Sequence, residues 1–205
     1  MTHLYRLDAT AAEIARRFGA DAGDDPWVGG YSAPGRFVPV IIGGAKGGRH
    51  IVPRLWGVPP PASVAKADAR PVTSVRNTAS PFWIGNLRHT SYRCLVPVTA
   101  FQLWAREKDA ATGRSVAHWF SLAAVPLFAL AGVWRDSEVP SFAILGCEAN
   151  RLVAAVNPAA MPLILHAEDH ERWLRADWRN AERLVTPFPS QLMQVGRAHP
   201  LAPDQ

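Results

Sequence analysis

Prolines and glycines divide this sequence into short apolar segments, and the division limits what the chain can fold into. The 205 residues include 18 Pro and 15 Gly. Runs such as RFVPVIIGG, LFALAGVW and SFAILGC have the length and the Val, Ile and Phe content of strands, bounded by turn residues. Patterns typical of helices are few and short. We therefore predict an α+β fold that is dominated by short strands.

Local signals place several elements along the chain. Thr10 and Glu13 form a capping-box pattern that predicts a helix over residues 10–18, ended by Gly19. Ser80 before Pro81 predicts a short helix in SPFWIGNL. AEDHERWL predicts another, because its acids come early and its arginine late. Strands are predicted in RFVPVIIGG and RHIVPRLWGVPPP with GGAKGG as a hairpin-like connection, then in YRCLVPVTAFQLWAR, VAHWFSL, LFALAGVW and SFAILGC.

The length suits a single domain over residues 1–205, with a flexible tail at about 196–205. PPPASVAKADARP is expected to be an irregular connection. No apolar run reaches the roughly 20 residues of a membrane span, and the first 20 residues do not resemble a secretory signal. Two cysteines are too few for a disulfide scaffold. We therefore expect a cytoplasmic monomer that does not contact a membrane, associated with the nucleoid if it binds DNA.

Charge is distributed unevenly. The segment from Arg36 to Arg93 contains nine basic residues and one acid, Asp68, and is therefore +8, whereas the whole chain is +5 and the remainder is −3. Such asymmetry is typical of a surface that faces a polyanion, although a solvated basic face without a ligand gives the same pattern.

Several kinds of site are disfavoured. GGAKGG lacks the Lys-Ser/Thr ending and the following helix of a P-loop. His166 and His170 are four residues apart, but no HExxH pattern or cysteine cluster accompanies them, so we interpret them as a loop histidine and a solvent-facing helical histidine. Cys94 is expected to be a buried structural thiol, and Glu148 should raise the pKa of the Cys147 thiol. We expect no metal and no cofactor.

Aromatic residues lie among the basic residues of the charged segment. The neighbours are Trp56 with Arg54, and Phe82 and Trp83 with Arg76 and Arg88. Bases of single-stranded nucleic acid stack on such rings while cations hold the phosphates. A tryptophan-rich core produces the same composition, so both interpretations stay open.

Seven motifs occur in order from residue 1 to about residue 175: MTHLY, WGVPPP, SVRNTASPFW, YRCLVPVTAFQLW, LAGVW, CEANRLVAAVNPAAMPLIL and EDHERWL. Together they resemble the SRAP family, the SOS-response-associated peptidases. The resemblance implies a compact β-rich fold, a distorted barrel or sheets with a few peripheral helices, and a groove for single-stranded DNA. It also implies capture of abasic sites: an N-terminal cysteine, exposed by removal of Met1, forms a thiazolidine with the sugar aldehyde, assisted by Asn, Glu and His side chains.

The chain departs from the family pattern at all four of these catalytic positions. Thr2 stands where the related motif MCNLY has cysteine, and Ser74 where TNVRN has asparagine. Leu103 replaces the glutamate of TAFSE, and Asn157 the histidine of IHPKAMP. A thiazolidine needs an amine and a thiol on adjacent carbons, whereas Thr2 offers a hydroxyl, whose oxazolidine should hydrolyse readily. Leu103 cannot transfer a proton, and Asn157 does not titrate near neutral pH. The resemblance therefore implies a degenerate member, a pseudoenzyme.

The resemblance also implies that the chain retains residues for DNA binding. Arg76 matches a motif arginine that contacts the DNA backbone, and Trp104 matches an aromatic of the groove. Leu4 stands where an arginine is often found, which removes one contact to the abasic nucleotide. Arg54, Trp83 and Arg88 are further DNA-binding candidates, taken from the basic segment and not from a motif. The expected partner is single-stranded or abasic-site DNA.

Two alternatives remain. The Thr2 amine, exposed by removal of Met1, could form a transient Schiff base with an abasic aldehyde and cleave the strand by β-elimination. Otherwise the protein could be a scaffold or a ligand-binding module without DNA affinity, in which Leu103 makes the former catalytic pocket apolar.

Overall fold

Strands make up most of the regular structure in the computed structural model, which describes Thr2 and residues 4–45, 47–60 and 70–197. The strands in these residues are β1 (Tyr5–Leu7), β2 (Gly30–Ser32), β3 (Phe37–Gly43), β4 (Arg49–Trp56), β5 (Ser74–Val75), β6 (Arg93–Val98), β7 (Ala100–Lys108), β8 (Ser115–Leu122), β9 (Phe128–Arg135), β10 (Ser141–Cys147), β11 (Met161–Pro162), β12 (Ile164–Leu165) and β13 (Met193–Arg197). The α-helices are α1 (Ala11–Phe18), α2 (Ile84–Arg88), α3 (Arg151–Ala154), α4 (His170–Arg175) and α5 (Trp178–Glu182), and short 3₁₀ helices cover Thr90–Tyr92, Ala167–Asp169 and Ser190–Leu192.

The strands form two distorted sheets, so the predicted β-rich α+β class is confirmed. One sheet has five strands in the order β13-β8-β7-β1-β2. The other has the order β11-β10-β4-β3-β6-β9-β12, and β5 pairs in parallel with β10. Because β9 also pairs with β10, the pairings form a closed cycle through β10, β4, β3, β6 and β9. Only the short pairing of Leu55 and Trp56 with Ser141 and Phe142 joins β4 to β10 in this cycle.

The hydrophobic core lies between the sheets. In β1 and in the first part of β7, buried residues alternate with more exposed ones. The buried residues, Tyr5, Leu7, Phe101 and Leu103, all belong to the core. In β6 and β9 burial is nearly continuous, as is typical of strands covered on both faces. Alternating burial therefore distinguishes β1 and β7 of the five-stranded sheet from β6 and β9, which are covered on both faces.

The first helix confirms its sequence signals. Thr10 is the N-cap, its hydroxyl oxygen accepts the Glu13 backbone N–H at 3.3 Å, and the Glu13 carboxylate accepts the Thr10 N–H at 2.7 Å. Gly19 ends the helix at φ 59°, a left-handed conformation that glycine adopts without steric cost.

Three other elements differ from the prediction in their bounds. The SPFWIGNL helix begins at Ile84 and not at Pro81, because the Ser80 carbonyl accepts the Trp83 and Ile84 N–H groups and forms a turn first. YRCLVPVTAFQLWAR is two strands, β6 and β7, separated at Thr99. β13 extends to Arg197, two residues into the segment predicted to be flexible, and residues 198–205 lie outside the described part. Most of the expected irregular connection, residues 61–69, also lies outside it.

The interpretation of His170 as a solvent-facing residue is wrong. His170 is buried on α4, with its ring 5.4 Å from the ring of Phe18. Burial, together with the nearby charges of Arg49 and Arg17, lowers the pKa of His170 to about 4. In the described part of the chain, no helix has the length and hydrophobicity to cross a membrane.

Candidate functional site

The N-terminal segment lies along β7. Tyr5 pairs with Phe101 in antiparallel register, and the Gln102 N–H donates to the Leu4 carbonyl at 2.9 Å. The Thr2 hydroxyl donates to the same carbonyl at 2.7 Å, and Thr2 is 2% exposed. Continuation of this register would place Thr2 opposite Trp104, the residue after Leu103, so two of the four family positions lie in neighbouring segments.

The Asn157 side chain attaches the turn after α3 to the same strand. Its amide Nδ2 donates to the Trp104 carbonyl at 3.0 Å, and its Oδ1 accepts the Ala159 N–H at 3.0 Å. The Arg106 N–H also donates to the Val156 carbonyl at 3.0 Å. Asn157 therefore fixes its turn beside the residue that follows Leu103.

A buried tryptophan links the N-terminal strand to Ser74. The rings of Tyr5 and Trp56 lie 5.1 Å apart, and Trp56 Nε1 donates to the Thr73 carbonyl at 3.1 Å. Ser74, the next residue, is half-buried and pairs with Ile144 of β10. This link holds Ser74 and the following Arg76 in place relative to the N-terminal strand.

A groove of about 510 Å³ lies between β5, the end of β10 and the Asn157 turn. Arg76 is exposed and lines it on the β5 side, while Ala159, which Asn157 holds, lines the opposite side. The full lining is Arg76, Gly146, Cys147, Glu148, Ala159, Ala160, Val185, Thr186 and Pro187. The groove thus combines the exposed guanidinium of Arg76 with the exposed carboxylate of Glu148 and with mostly uncharged side chains.

Neither cysteine thiol is a strong nucleophile at neutral pH. Cys147 lines the groove, but burial and the adjacent Glu148 raise the pKa of its thiol to about 12. The thiol is therefore protonated at neutral pH and a weak nucleophile. Cys94 is fully buried, and burial raises its pKa far more than the nearby Arg54 lowers it. Both expectations for the cysteines are confirmed.

Leu103 belongs to the core and does not make the groove apolar. It is 2% exposed and packs in the hydrophobic cluster between the sheets. The inward face of β7 is covered by the core, and Leu103 is not among the residues that line this groove.

The DNA-binding candidates differ in accessibility. The side chain of Trp104 is 45% exposed and Arg88 is exposed at the end of α2, whereas Trp83 is only 5% exposed and its ring packs 4.7 Å from that of Phe82. The Arg54 guanidinium lies 4.4 Å from the ring centre of Trp134, and burial lowers its pKa. Trp104 and Arg88 are thus open to a ligand, while Trp83 is part of the core.

The basic residues of this segment that the structure describes do not all lie together on one surface. Arg54 lies next to Leu55, which pairs with Ser141 at the start of β10, whereas Arg76 faces Cys147 at the end of that strand. At about 3.3 Å per residue the two ends of β10 are about 20 Å apart. Arg93 is buried, and its guanidinium donates to the Ala176 carbonyl.

Metal binding has no support in the part of the chain that the structure describes, since no three His, Cys, Asp or Glu side chains there could hold an ion together. The His166 ring instead stacks 4.5 Å from that of Phe188.

Sequence reasoning missed a set of exposed and half-buried residues on the outer face of the five-stranded sheet. Tyr31 is 49% exposed, its ring lies 5.8 Å from that of Trp119, and the Arg6 guanidinium lies 5.1 Å from the Tyr31 ring centre. These residues are far apart in the sequence, and only the strand order brings them together. Period-2 alternation in β7 and β8 was the available signal.

Residues 1–201 match the family model for SOS response associated peptidase (SRAP). No curated protein matches the chain. Among solved structures, a protein from Bacteroides thetaiotaomicron is similar with a TM-score of 0.78 and 19% identity, over 96% of this chain and 92% of that chain. A protein from Bordetella bronchiseptica has a TM-score of 0.76 and 20% identity, over 97% and 100%. A phage-related protein from the same organism has a TM-score of 0.72 and 14% identity, over 97% and 94%. These structures share the fold.

Proposed function

The chain belongs to the SRAP family, and we propose that it binds single-stranded or abasic-site DNA without forming the stable cross-link that the family pattern implies. One observation carries the proposal: the exposed Arg76 lies in a groove opposite the turn that Asn157 fixes to Trp104. A guanidinium in such a position suits a phosphate, and the exposed ring of Trp104 suits a base.

The chemistry at three of the four family positions supports binding over capture. The Thr2 hydroxyl is engaged with the Leu4 carbonyl, Leu103 is in the core, and Asn157 uses both side-chain polar atoms in fixing its turn. General acid catalysis typically contributes about 10²–10⁴-fold, and none of these three side chains can supply it at neutral pH.

Capture is tested on a denaturing gel with single-stranded DNA that carries one abasic site, with and without borohydride. We expect no denaturation-resistant band without reductant. Such a band would overturn the pseudoenzyme proposal. A band seen only with reductant would reveal a transient imine. Its loss in Thr2→Gln, in which Met1 is expected to be retained, would assign that imine to the Thr2 amine.

Binding is tested by fluorescence anisotropy with labelled single-stranded DNA at several salt concentrations. Affinity should fall with salt, because each phosphate contact contributes about 0.7 to the slope of log K against log salt for single strands. Arg76→Ala should weaken binding and reduce that slope by about 0.7. The matched control is Arg36→Ala, which removes an exposed arginine outside the groove lining. Salt-independent affinity, or no binding, would overturn the proposal and favour a scaffold without DNA affinity.

A further inference from the structure

The five-stranded sheet presents two chemically different faces. Tyr5, Leu7, Phe101, Leu103 and Phe120 are buried in the core. Because successive side chains of a strand point to opposite faces, the intervening residues lie on the outer face. We call the following residues the aromatic face: Arg6 of β1, Tyr31 of β2, Gln102 and Trp104 of β7, and Trp119 of β8.

Three residues at one end of the aromatic face, Arg6, Tyr31 and Trp119, lie close to one another. The Tyr31 and Trp119 rings are 5.8 Å apart and inclined at 58°, and the Arg6 guanidinium lies 5.1 Å from the centre of the Tyr31 ring. Arg6 also pairs with Asp8 at 2.7 Å. The Arg6 side chain is thus held beside the rings while it remains partly exposed.

The strand register sets the spacing at the other end. Trp104 pairs with Ala117 and Gln102 pairs with Trp119, so Trp104 and Trp119 are diagonal neighbours on one face. Such neighbours are separated by about 7–8 Å, within the reach of aromatic side chains. Gln102 and Ala117 occupy the other two positions of this group of four neighbouring residues. The Gln102 amide can donate and accept hydrogen bonds, and the Ala117 side chain is a methyl group.

The aromatic face also begins at the groove. The carbonyl of Trp104 accepts the Asn157 amide, and Asn157 in turn holds Ala159, which lines the groove. The Trp104 side chain is 45% exposed on the outer face. The Asn157 turn thus connects the groove to Trp104, and Trp119 and Tyr31 follow Trp104 across the sheet.

We propose that the aromatic face binds the continuation of the single-stranded nucleic acid held in the groove, with bases stacked on Trp104, Trp119 and Tyr31. This inference rests on the proposed function. Each base has a π-face, so stacking on rings tolerates any sequence. Arg6 is the one charged residue among those of the aromatic face, and its pairing with Asp8 leaves the face little net charge, so the rings and not a cation carry the proposed interaction with bases.

The test compares labelled oligothymidylates of 4 and 12 nucleotides, since only the longer one spans both groove and face. Wild-type protein should bind the 12-mer more tightly than the 4-mer. Tyr31→Ala and Trp119→Ala should each weaken binding of the 12-mer about 5- to 100-fold and leave the Kd of the 4-mer within about twofold.

Three controls distinguish stacking from a change in the fold. Tyr31→Phe and Trp119→Phe keep an aromatic ring and should retain most of the affinity for the 12-mer. Phe37→Ala removes a ring that is 57% exposed but lies on β3 of the other sheet, and should leave both affinities unchanged.

The outcomes separate this inference from the function on which it rests. Equal affinity for the two lengths, or alanine variants that bind the 12-mer like wild type, would overturn the inference alone, provided that Arg76→Ala still weakens the 4-mer. Equal weakening by Phe37→Ala would also overturn it. Wild-type protein that binds neither length would overturn both.

Discussion

Asn157 donates its side-chain amide to the backbone carbonyl of Trp104 at 3.0 Å. The same side chain accepts the Ala159 N–H, so one residue joins the groove turn to β7. The family pattern has a histidine at this position. In this chain Asn157 has a structural role, because its amide group donates one of these hydrogen bonds and accepts the other. An imidazole ring would not reproduce the same geometry.

Removal of this side chain should loosen the groove. We expect Asn157→Ala to lower the free energy of unfolding by about 1–3 kcal/mol, because two hydrogen bonds are lost. DNA affinity should fall with it. Urea denaturation measures the first effect and anisotropy the second. Asn157→Asp should also weaken the turn, since a carboxylate oxygen would face the Trp104 carbonyl. Unchanged stability in Asn157→Ala would show that the contact to Trp104 contributes little.

Restoration of the family glutamate should be destabilising. Leu103 is 2% exposed among core residues, so a carboxylate there loses its hydration. We expect Leu103→Glu to cost several kcal/mol, of the order seen when unpaired charges are buried. Thermal unfolding monitored by circular dichroism measures the loss. Leu103→Met, which conserves volume, should cost less than about 1.5 kcal/mol. A Leu103→Glu protein as stable as wild type would indicate a polar partner for this position.

Acid should destabilise the protein through His170. Burial, Arg49 and Arg17 lower its folded-state pKa to about 4 from an ordinary value of 6.5, while Glu168 opposes them. The unfolded chain therefore binds a proton that the folded chain excludes between these pH values. The contribution of His170 to the free energy of unfolding is fully present above pH 6.5. It falls by up to about 3 kcal/mol as the pH decreases to about 4.

His170→Phe provides the comparison, because it keeps a ring beside Phe18 and removes the titration. The difference in unfolding free energy between His170→Phe and wild type, measured by urea denaturation, should change across this pH range and be constant above it. Parallel pH profiles would contradict the lowered pKa.

Gly132 is required where β9 pairs with β6, opposite Cys94. A Cβ atom added there would lie 2.7 Å from Cys94 Sγ and 2.9 Å from a methyl carbon of Val96. We expect Gly132→Ala to lower the free energy of unfolding by about 1–3 kcal/mol through overpacking. Gly85 of α2 is the matched control, since an added Cβ meets nothing within 4 Å. Gly85→Ala should be neutral or stabilising because alanine favours the helix. Equal effects in the two variants, measured by denaturant titration, would contradict the packing argument.

The sequence by itself determined the features that depend on near neighbours. The Thr10–Glu13 capping box and Gly19 determine α1, because their hydrogen bonds and backbone angles span one helical turn. Apolar runs and turn residues determine the strands and the α+β class. The motifs determine the family, and the chemistry of Thr2 and Leu103 follows from their side chains alone.

Only the tertiary structure decided which residues share a surface. It buries Trp83 and His170, places Arg54 and Arg76 at opposite ends of β10, and brings Tyr31 to Trp119 across the sheet. Each of these outcomes depends on strand order and register. Register is set by pairings between distant segments, and a shift of one residue reverses which face a side chain occupies.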